Sequence, residues 1–324
     1  MQAENLEPED LTLDNILQNF ATDEAARSFL EAWLWPTGPV CPRCKSNDPE
    51  RVYAMKAASV RPGLHNCKDC RRQFTVTVGT IFEDSHIPLR KWLVAWYLLC
   101  SSKKGISSLQ LQRILGLGSY KTALFMTHRI RHALRDTVYT DKLAGAVEMD
   151  ETYVGGKAPA FGKRRTGRPG PDSHKVPVVS LVERNGNKRS MVMERVTSKN
   201  LKAAVTEHVQ EGSAVVSDGF PAYRKVAGAV RHYAVNHSAG EYARKEGDFL
   251  AHTNTVESSF SLLKRGIIGT FHNVSKHHLP LYLAEFDHRW NHRKDTDGER
   301  TVAALKKAEG KRLTYKPLTQ RKGN

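Results

Sequence analysis

Two kinds of residue in this 324-residue chain have the types and spacing to do metal chemistry. Cys41-Pro-Arg-Cys44 and Cys67-Lys-Asp-Cys70 form two pairs separated by residues 45–66. Thiolates so spaced match a four-cysteine zinc ribbon, and a closed tetrahedral shell leaves no open position, so one Zn2+ there would be structural. A redox pair is the competing reading, but neither pair has thioredoxin-like surroundings. Cys100 lies in an apolar helical run and reads as an inert core residue.

The second kind is carboxylate. Asp150 sits in AVEMDETYVGG, where Val147, Met149 and then Glu151 alternate with the other face of a predicted strand. Asp218 closes the apolar run SAVVSDG, and the following Gly-Phe-Pro forces a turn that projects the acid from a strand end, a frequent ligand position in open sheets. Acids at such places also serve as caps and turn formers. Glu257 falls on a predicted helix that Asn254 or Thr255 can cap, with Asn254 one turn before it and Lys264 two turns after, near one face. That stripe suits an acid on a metal ion with a lysine on a nearby phosphate; a solvated, salt-bridged face is the alternative.

The elements that must position these groups can be read from periodicity. Residues 10–35 predict one or two short amphipathic helices, with Leu13, Ile16, Leu17 and Phe20 and then Phe29, Leu30, Trp33 and Leu34 at helical spacing. The turn-rich stretch from Pro36 to Thr80 is too small to fold without a staple. Helical runs follow in LRKWLVAWYLLCSS, LQLQRILGL and TALFMTHRIRHALRD, the last two separated by Gly116–Ser119. This helix-turn-helix-like pair predicts a basic second helix on which Tyr120, Lys121, His128, Arg129 and Arg131 reach phosphates or base edges, while Ala123, Leu124, Ile130 and Leu134 pack inward. Strand-like runs AVEMDETYV, KVPVVSLVER, RSMVMERV, SAVVSDG and RHYAVNH, with helical KNLKAAVTEHVQEG and PAYRKVAG among them, predict a mixed sheet with helices on its faces.

A formal net charge of +16 points to a polyphosphate partner, and because the first 36 residues hold eight acids against the single base Arg27, the positive excess lies downstream. No run of about 18 apolar residues is present, and the acidic N-terminus lacks the form of a signal peptide, so the expectation is a cytoplasmic, nucleoid-associated protein with reduced cysteines and no membrane contact.

Taken in order, the motifs WPTGPVCPRC, CKDCRRQFTVTVGTIF, KTALFMTHRIRHAL, VEMDETYVGGK, VVSDGFPAY, HTNTVESSFSLLKRGIIGTFH and YLAEFDHRWNHR resemble bacterial insertion-sequence DDE transposases of the ISXO-like type. The likeness spans about residues 30 to 295. It implies an N-terminal zinc ribbon and an RNase-H-like catalytic domain, with Asp150 and Asp218 as the first two acidic metal ligands. Members vary at the third position between acid and amide. Glu257 matches the acid with Lys264 as basic companion, and Asn254 is the alternative or auxiliary ligand; His252 reads as positioning DNA or packing locally. Two Mg2+ (or Mn2+) ions are implied, used first to hydrolyse a phosphodiester and free a three-prime hydroxyl, then to transfer that strand into target DNA. The implied partner is double-stranded DNA, both transposon ends and target, bound by a homodimer or larger homo-oligomer.

The expected organisation is an acidic helical segment (1–36), the zinc ribbon (37–80), a helix-turn-helix-like DNA-binding region (85–140), the RNase-H-like domain (141–298) and a basic tail (299–324). Within the fourth piece, the Gly/Pro-rich loop 156–175 carries Lys157, Lys163, Arg164, Arg165, Arg168 and Lys175 and reads as an arm for phosphates or a minor groove. Arg265, beside Lys264, is counted with the DNA-binding residues, and Lys306, Lys307, Lys311, Arg312, Lys316, Arg321 and Lys322 read as nonspecific phosphate attraction. Two rival functions share these motifs: a zinc-ribbon, helix-turn-helix transcription regulator, and an RNase-H-like nuclease or resolvase that cuts without joining.

Overall fold

A computed structural model describes residues 7–56, 59–136, 139, 141–155, 175–226 and 230–314. The chain divides into two compact units, Met1–Arg135 with His292–Asn324, and Asp136–Asn291.

The first unit opens with helices α1 (Leu13–Asn19) and α2 (Asp23–Leu34), each begun by a threonine hydroxyl that accepts from a backbone N–H: Thr12 from Asn15 and Thr22 from Ala25, both at 3.2 Å. Three short antiparallel strands follow, β1 (Val52–Ala54), β2 (His65–Cys67) and β3 (Arg72–Phe74), in that spatial order. Then come α3 (Leu89–Ser101), α4 (Ser108–Leu115) and α5 (Tyr120–Leu134). Apolar residues lie nearly all round α3, and Trp92, Leu93, Ala95, Trp96, Leu99 and Cys100 are buried, so it is the central helix of the unit. Gly116 ends α4 in the left-handed conformation, φ 58°, which spares the chain a Cβ clash as it turns toward α5.

The second unit is built on a five-stranded mixed sheet. Its strands are β4 (Ala146–Val154), β5 (Val176–Glu183), β6 (Lys188–Val192), β7 (Ala214–Asp218) and β8 (Arg231–Val235), in the spatial order β6-β5-β4-β7-β8. The pairs among β6, β5 and β4 are antiparallel; β4, β7 and β8 run parallel. This is the mixed, helix-flanked sheet expected of an RNase-H-like domain.

Alternation along each strand sends two residue sets to two faces. On one face Val147, Met149, Val179, Leu181 and Val215 join Leu201, Ala204 and Val205 of helix α6 (Ser198–His208) and Tyr223 of a 3-10 turn, Pro221–Lys225, in the main core. The sequence predicts an ordinary helix for that last segment; Pro221 at its start and the short span leave one tight turn instead. On the other face Val216 and Val235 pack with Ala251 and Phe249 of a small hairpin, β9 (Arg244–Glu246) and β10 (Phe249–Ala251). Helices α7 (Asn254–Gly266) and α8 (Leu279–Asn291) belong to this side too: Glu148 hydrogen-bonds the first turn of α7, and Asp287 of α8 accepts from the backbone and hydroxyl of Ser190 at 2.6 and 2.7 Å. Asp287 also pairs with buried Lys188 at 3.4 Å. Burial raises the carboxyl's pKa and lowers the ammonium's, so the pair persists because each group supplies the partner the other lost with water.

The C-terminal region corrects an expectation. Asp297–Lys306 forms a helix, α9, started by a capping box between Thr296 and Glu299, and it belongs with the first unit. Thr301, Val302, Ala304 and Leu305 are buried, and a Cβ on Gly298 would stand 1.9 Å from the carbonyl oxygen of Pro8. The nearby cations have internal partners. Lys306 lies 5.2 Å from the Trp33 ring centroid, Lys311 donates to the carbonyls of Ala133 and Arg135, and Arg312 pairs with Glu83 and Asp84. These groups tie α9 and the residues just after it to Trp33, the end of α5 and the Glu83–Asp84 turn of the same unit. Lys316, Arg321 and Lys322 lie outside the described residues.

Candidate active site and zinc centre

The cysteines converge tightly. Their sulfurs all lie within 4.8 Å of one another, with Cys41 Sγ 3.6 Å from Cys70 Sγ and Cys44 Sγ 3.5 Å from Cys67 Sγ. A tetrahedron with Zn–S bonds of about 2.3 Å sets sulfurs about 3.8 Å apart, so the four thiols fit a zinc ion with minor adjustment. The residue after each second cysteine, Lys45 and Arg71, takes a left-handed backbone (φ 63° and 55°) that folds each pair into a tight knuckle. Behind them is a very small core of Val52 and Phe74 with Trp35, whose ring meets His65 and Phe74 edge-on at 5.1 and 5.8 Å.

The carboxylates come together through sheet register. The parallel pairing of β4 and β7 runs up to Met149 opposite Ser217, so Asp150 and Asp218 follow side by side on one face. Asp218 accepts from the Phe220 N–H at 3.0 Å, which ties it to the turn after its strand. Asp150 accepts from the Glu151 N–H at 2.7 Å, and across β5 it stands opposite buried Ser180. Burial is the largest influence on Asp150, and with the charges of Glu151, Asp218 and Glu257 it pushes the carboxyl up to about 7. Glu257 contributes the smallest of these effects. Its own carboxylate is turned aside, accepting from the Thr253 hydroxyl at 2.8 Å and lying 3.3 Å from His237 Nε2.

Among the described residues the four cysteines are the one group of three or more His, Cys, Asp or Glu side chains whose ligand atoms all lie within 4.8 Å of one another. The three acids fit a hard divalent ion in a different sense: they are oxygen donors whose mutual repulsion a cation would relieve, and Glu257 is held meanwhile by Thr253 and His237.

The ISXO2-like transposase domain family matches residues 142–291, and the transposase zinc-ribbon domain matches residues 21–73. The chain is also 31% identical over 288 residues, 84% of its length and 92% of the relative's, to an uncharacterized protein in transposable element ISH50 of Halobacterium salinarum. The chain belongs to the ISXO2-like transposases.

The other residues singled out in the transposase sequence scatter. On α7, Asn254, Lys264 and Arg265 are exposed, and Arg265 Nε donates to the Ser261 carbonyl at 3.1 Å. On α5, Tyr120 and Lys121 in the first turn are exposed. His128, Arg129 and Arg131 are buried, which corrects the expectation that they reach DNA. Arg129 donates to the Glu83 carbonyl at 2.6 Å and lies over the rings of Trp92 and Phe125, so its charge serves packing. Helical periodicity misassigned it because α5 is covered on more than one side. Leu124, expected to pack inward, is only half-buried. Lys157, Lys163, Arg164, Arg165 and Arg168 lie outside the described residues. Among the described residues no helix is long and apolar enough to cross a membrane.

Three neighbours of the acids had no role in the sequence reading. Tyr223, buried in the main core, donates its hydroxyl to Glu151; burial and then that acid raise the phenol's pKa. His237 sits 2.9 Å from the Thr253 hydroxyl. Glu148 is wholly buried, two residues before Asp150 on the same face. Its signal was available, since an acid at an inward position of a buried strand demands partners.

Proposed function

We propose that this transposase binds double-stranded DNA at the ends of its insertion element, hydrolyses a phosphodiester to free a three-prime hydroxyl, and joins that strand to target DNA at the same carboxylate site. The observation that carries this reading is the placing of Asp150 and Asp218 at adjacent strand positions, with Glu257 of α7 among the charges that raise the Asp150 pKa. Two Mg2+ or Mn2+ ions about 4 Å apart would supply activation of the attacking oxygen and stabilisation of the leaving alkoxide.

Asp150 and Asp218 would hold the ions from the rigid sheet. Glu257 would leave Thr253 and His237 to complete the set, and it is favoured over Asn254 because it offers the anionic oxygen that a hard divalent ion prefers. Lys264, exposed two turns further along α7, would meet a phosphate of the bound strand, with Arg265 beside it. Tyr120 and Lys121, at the exposed N-terminal end of α5, are the remaining candidates there for a helix-turn-helix contact, and the basic loop 156–175 for a phosphate contact. Two ends joined in concert require at least two copies on DNA.

The test uses labelled duplexes carrying the inverted repeats that flank the gene, with Mg2+ or Mn2+. Cleavage leaving a three-prime hydroxyl, strand-transfer products from a precleaved end, and loss of both in Asp150→Ala are expected. Cutting that survives Asp150→Ala sinks the site assignment. Binding without cutting favours a regulator, and cutting without joined products a nuclease. Comparison of Glu257→Gln with Asn254→Ala decides the third ligand, the larger loss being expected for Glu257→Gln.

A further inference from the structure

Glu148 makes more contacts than any structural need of its strand explains. The carboxylate is fully buried, and both oxygens are engaged with the segment that leads into α7. Oε2 accepts from the backbone N–H groups of Thr255 and Val256 at 2.7 and 3.0 Å. Oε1 accepts from the Thr255 hydroxyl at 2.9 Å and from Arg184 Nε–H at 2.8 Å, and His252 Nδ1 lies 3.1 Å from it. Arg184 extends the bracket backwards, donating to the carbonyls of Leu250 and His252 at 2.6 and 3.0 Å. A strand carboxylate thus does the work of the helix cap: Thr253, at the cap position, makes no side-chain cap bond, and its hydroxyl is given to Glu257. The anion at the helix N-terminus also matches the positive end of the helix dipole.

We infer that Glu148 is a positioning residue for the DNA-cleaving metal site, setting where Glu257 stands relative to Asp150. The path is short on both sides. Asp150 lies two residues along the same strand and on the same face, and Glu257 immediately follows Val256, one of the two backbone donors. A shift of the first turn of α7 would therefore move Glu257 directly, while Asp150 and Asp218 keep their places in the sheet. A carboxylate is required: a neutral amide at this position turns its NH2 either toward two backbone N–H groups or toward Arg184 and Thr255, and each choice sets donor against donor.

This inference rests on the proposed metal-dependent cleavage, and its test separates the two. Full-length wild type, Glu148→Gln and Thr255→Val are loaded with Fe2+ in place of Mg2+, and ascorbate and peroxide are added so that radicals cut the polypeptide near the bound metal. Wild type should be cut near residues 150, 218 and 257. Glu148→Gln should keep the cuts near 150 and 218 and lose the one near 257, and half-maximal DNA cleavage should need at least ~10-fold more Mg2+. Thr255→Val removes one hydroxyl donor and leaves both backbone donors, so it should fold and show the same changes more weakly, about 3-fold in Mg2+ requirement. If Glu148→Gln fails to fold, Thr255→Val decides alone. A wild-type pattern without cuts near 150 and 218 overturns the metal-site reading itself. A normal wild-type pattern with the cut near 257 and the Mg2+ requirement both unchanged in the folded variants overturns the positioning role of Glu148.

Discussion

The cysteine cluster and the carboxylate cluster are assembled in opposite ways. In the ribbon the ligands lie between positions 41 and 70, their sulfurs are already within 4.8 Å, and the apolar cluster around them adds only Val52 and Phe74, with Trp35 and Val78 partly buried. Three-residue strands and a core of that size cannot offset the loss of chain entropy, so the metal has to make the module. In the sheet unit the acids come from positions 150, 218 and 257, a large apolar core holds the strands without them, and the acids repel one another. The first cluster would gain stability from a metal ion; the second is held together at the expense of stability, as groups in catalytic sites often are.

Removing zinc should have the largest effect. Chelation, or Cys67→Ser, should unfold the ribbon, a loss of about 10 kcal/mol for that module. Hydrogen exchange should then show protection lost across residues 37–80 and retained in β4, β5 and β7; joint loss in both regions would contradict the contrast. Next in size, Asp150→Asn or Asp218→Asn should lower strand cleavage by about 1,000-fold, equivalent to about 4 kcal/mol, with the far-ultraviolet circular dichroism unchanged.

A structural ion pair in the same unit provides a control. Asp287→Ala leaves Lys188 buried and unpaired and should destabilise the unit by about 3 kcal/mol in denaturant titrations, with part of that restored by Lys188→Met. The smallest effect is in pH dependence. Asp150 binds its proton more tightly folded than unfolded, so in buffer without divalent ions its contribution favours folding at low pH and is lost as pH rises from about 4 toward 7. Asp150→Asn should flatten that slope and raise the melting temperature near pH 7. In wild-type cleavage assays at low Mg2+, activity should rise through about pH 7, because proton and metal compete for the same oxygens. A flat profile would mean that Asp150 is not the group being titrated.

Much of the molecule was legible in its residue types. The cysteine pairs announced their own geometry, since two knuckles fix four sulfurs whatever surrounds them. Strand alternation gave β4 and β7 and placed Asp150 and Asp218 at strand positions able to carry ligands. Helical periodicity placed Glu257 and Lys264 two turns apart on α7. Periodicity failed where an element is covered on more than one side: His128, Arg129 and Arg131 look like a basic recognition face, yet all three are buried. Charge alone did not show where a cation has a partner distant in sequence, as with Lys311, which donates to the Ala133 and Arg135 carbonyls, and Arg312, which pairs with Glu83 and Asp84.

Residue types and local periodicity therefore indicate which groups could bind metal and which element carries each, because ligand chemistry and periodicity are properties of neighbouring residues. Only the tertiary structure decided how those elements meet. The parallel register of β4 with β7 sets Asp150 beside Asp218, and the buried Glu148 carboxylate draws the start of α7 onto the same face. Both depend on pairing between segments far apart along the chain, and each half of such a pair looks ordinary until the other is beside it.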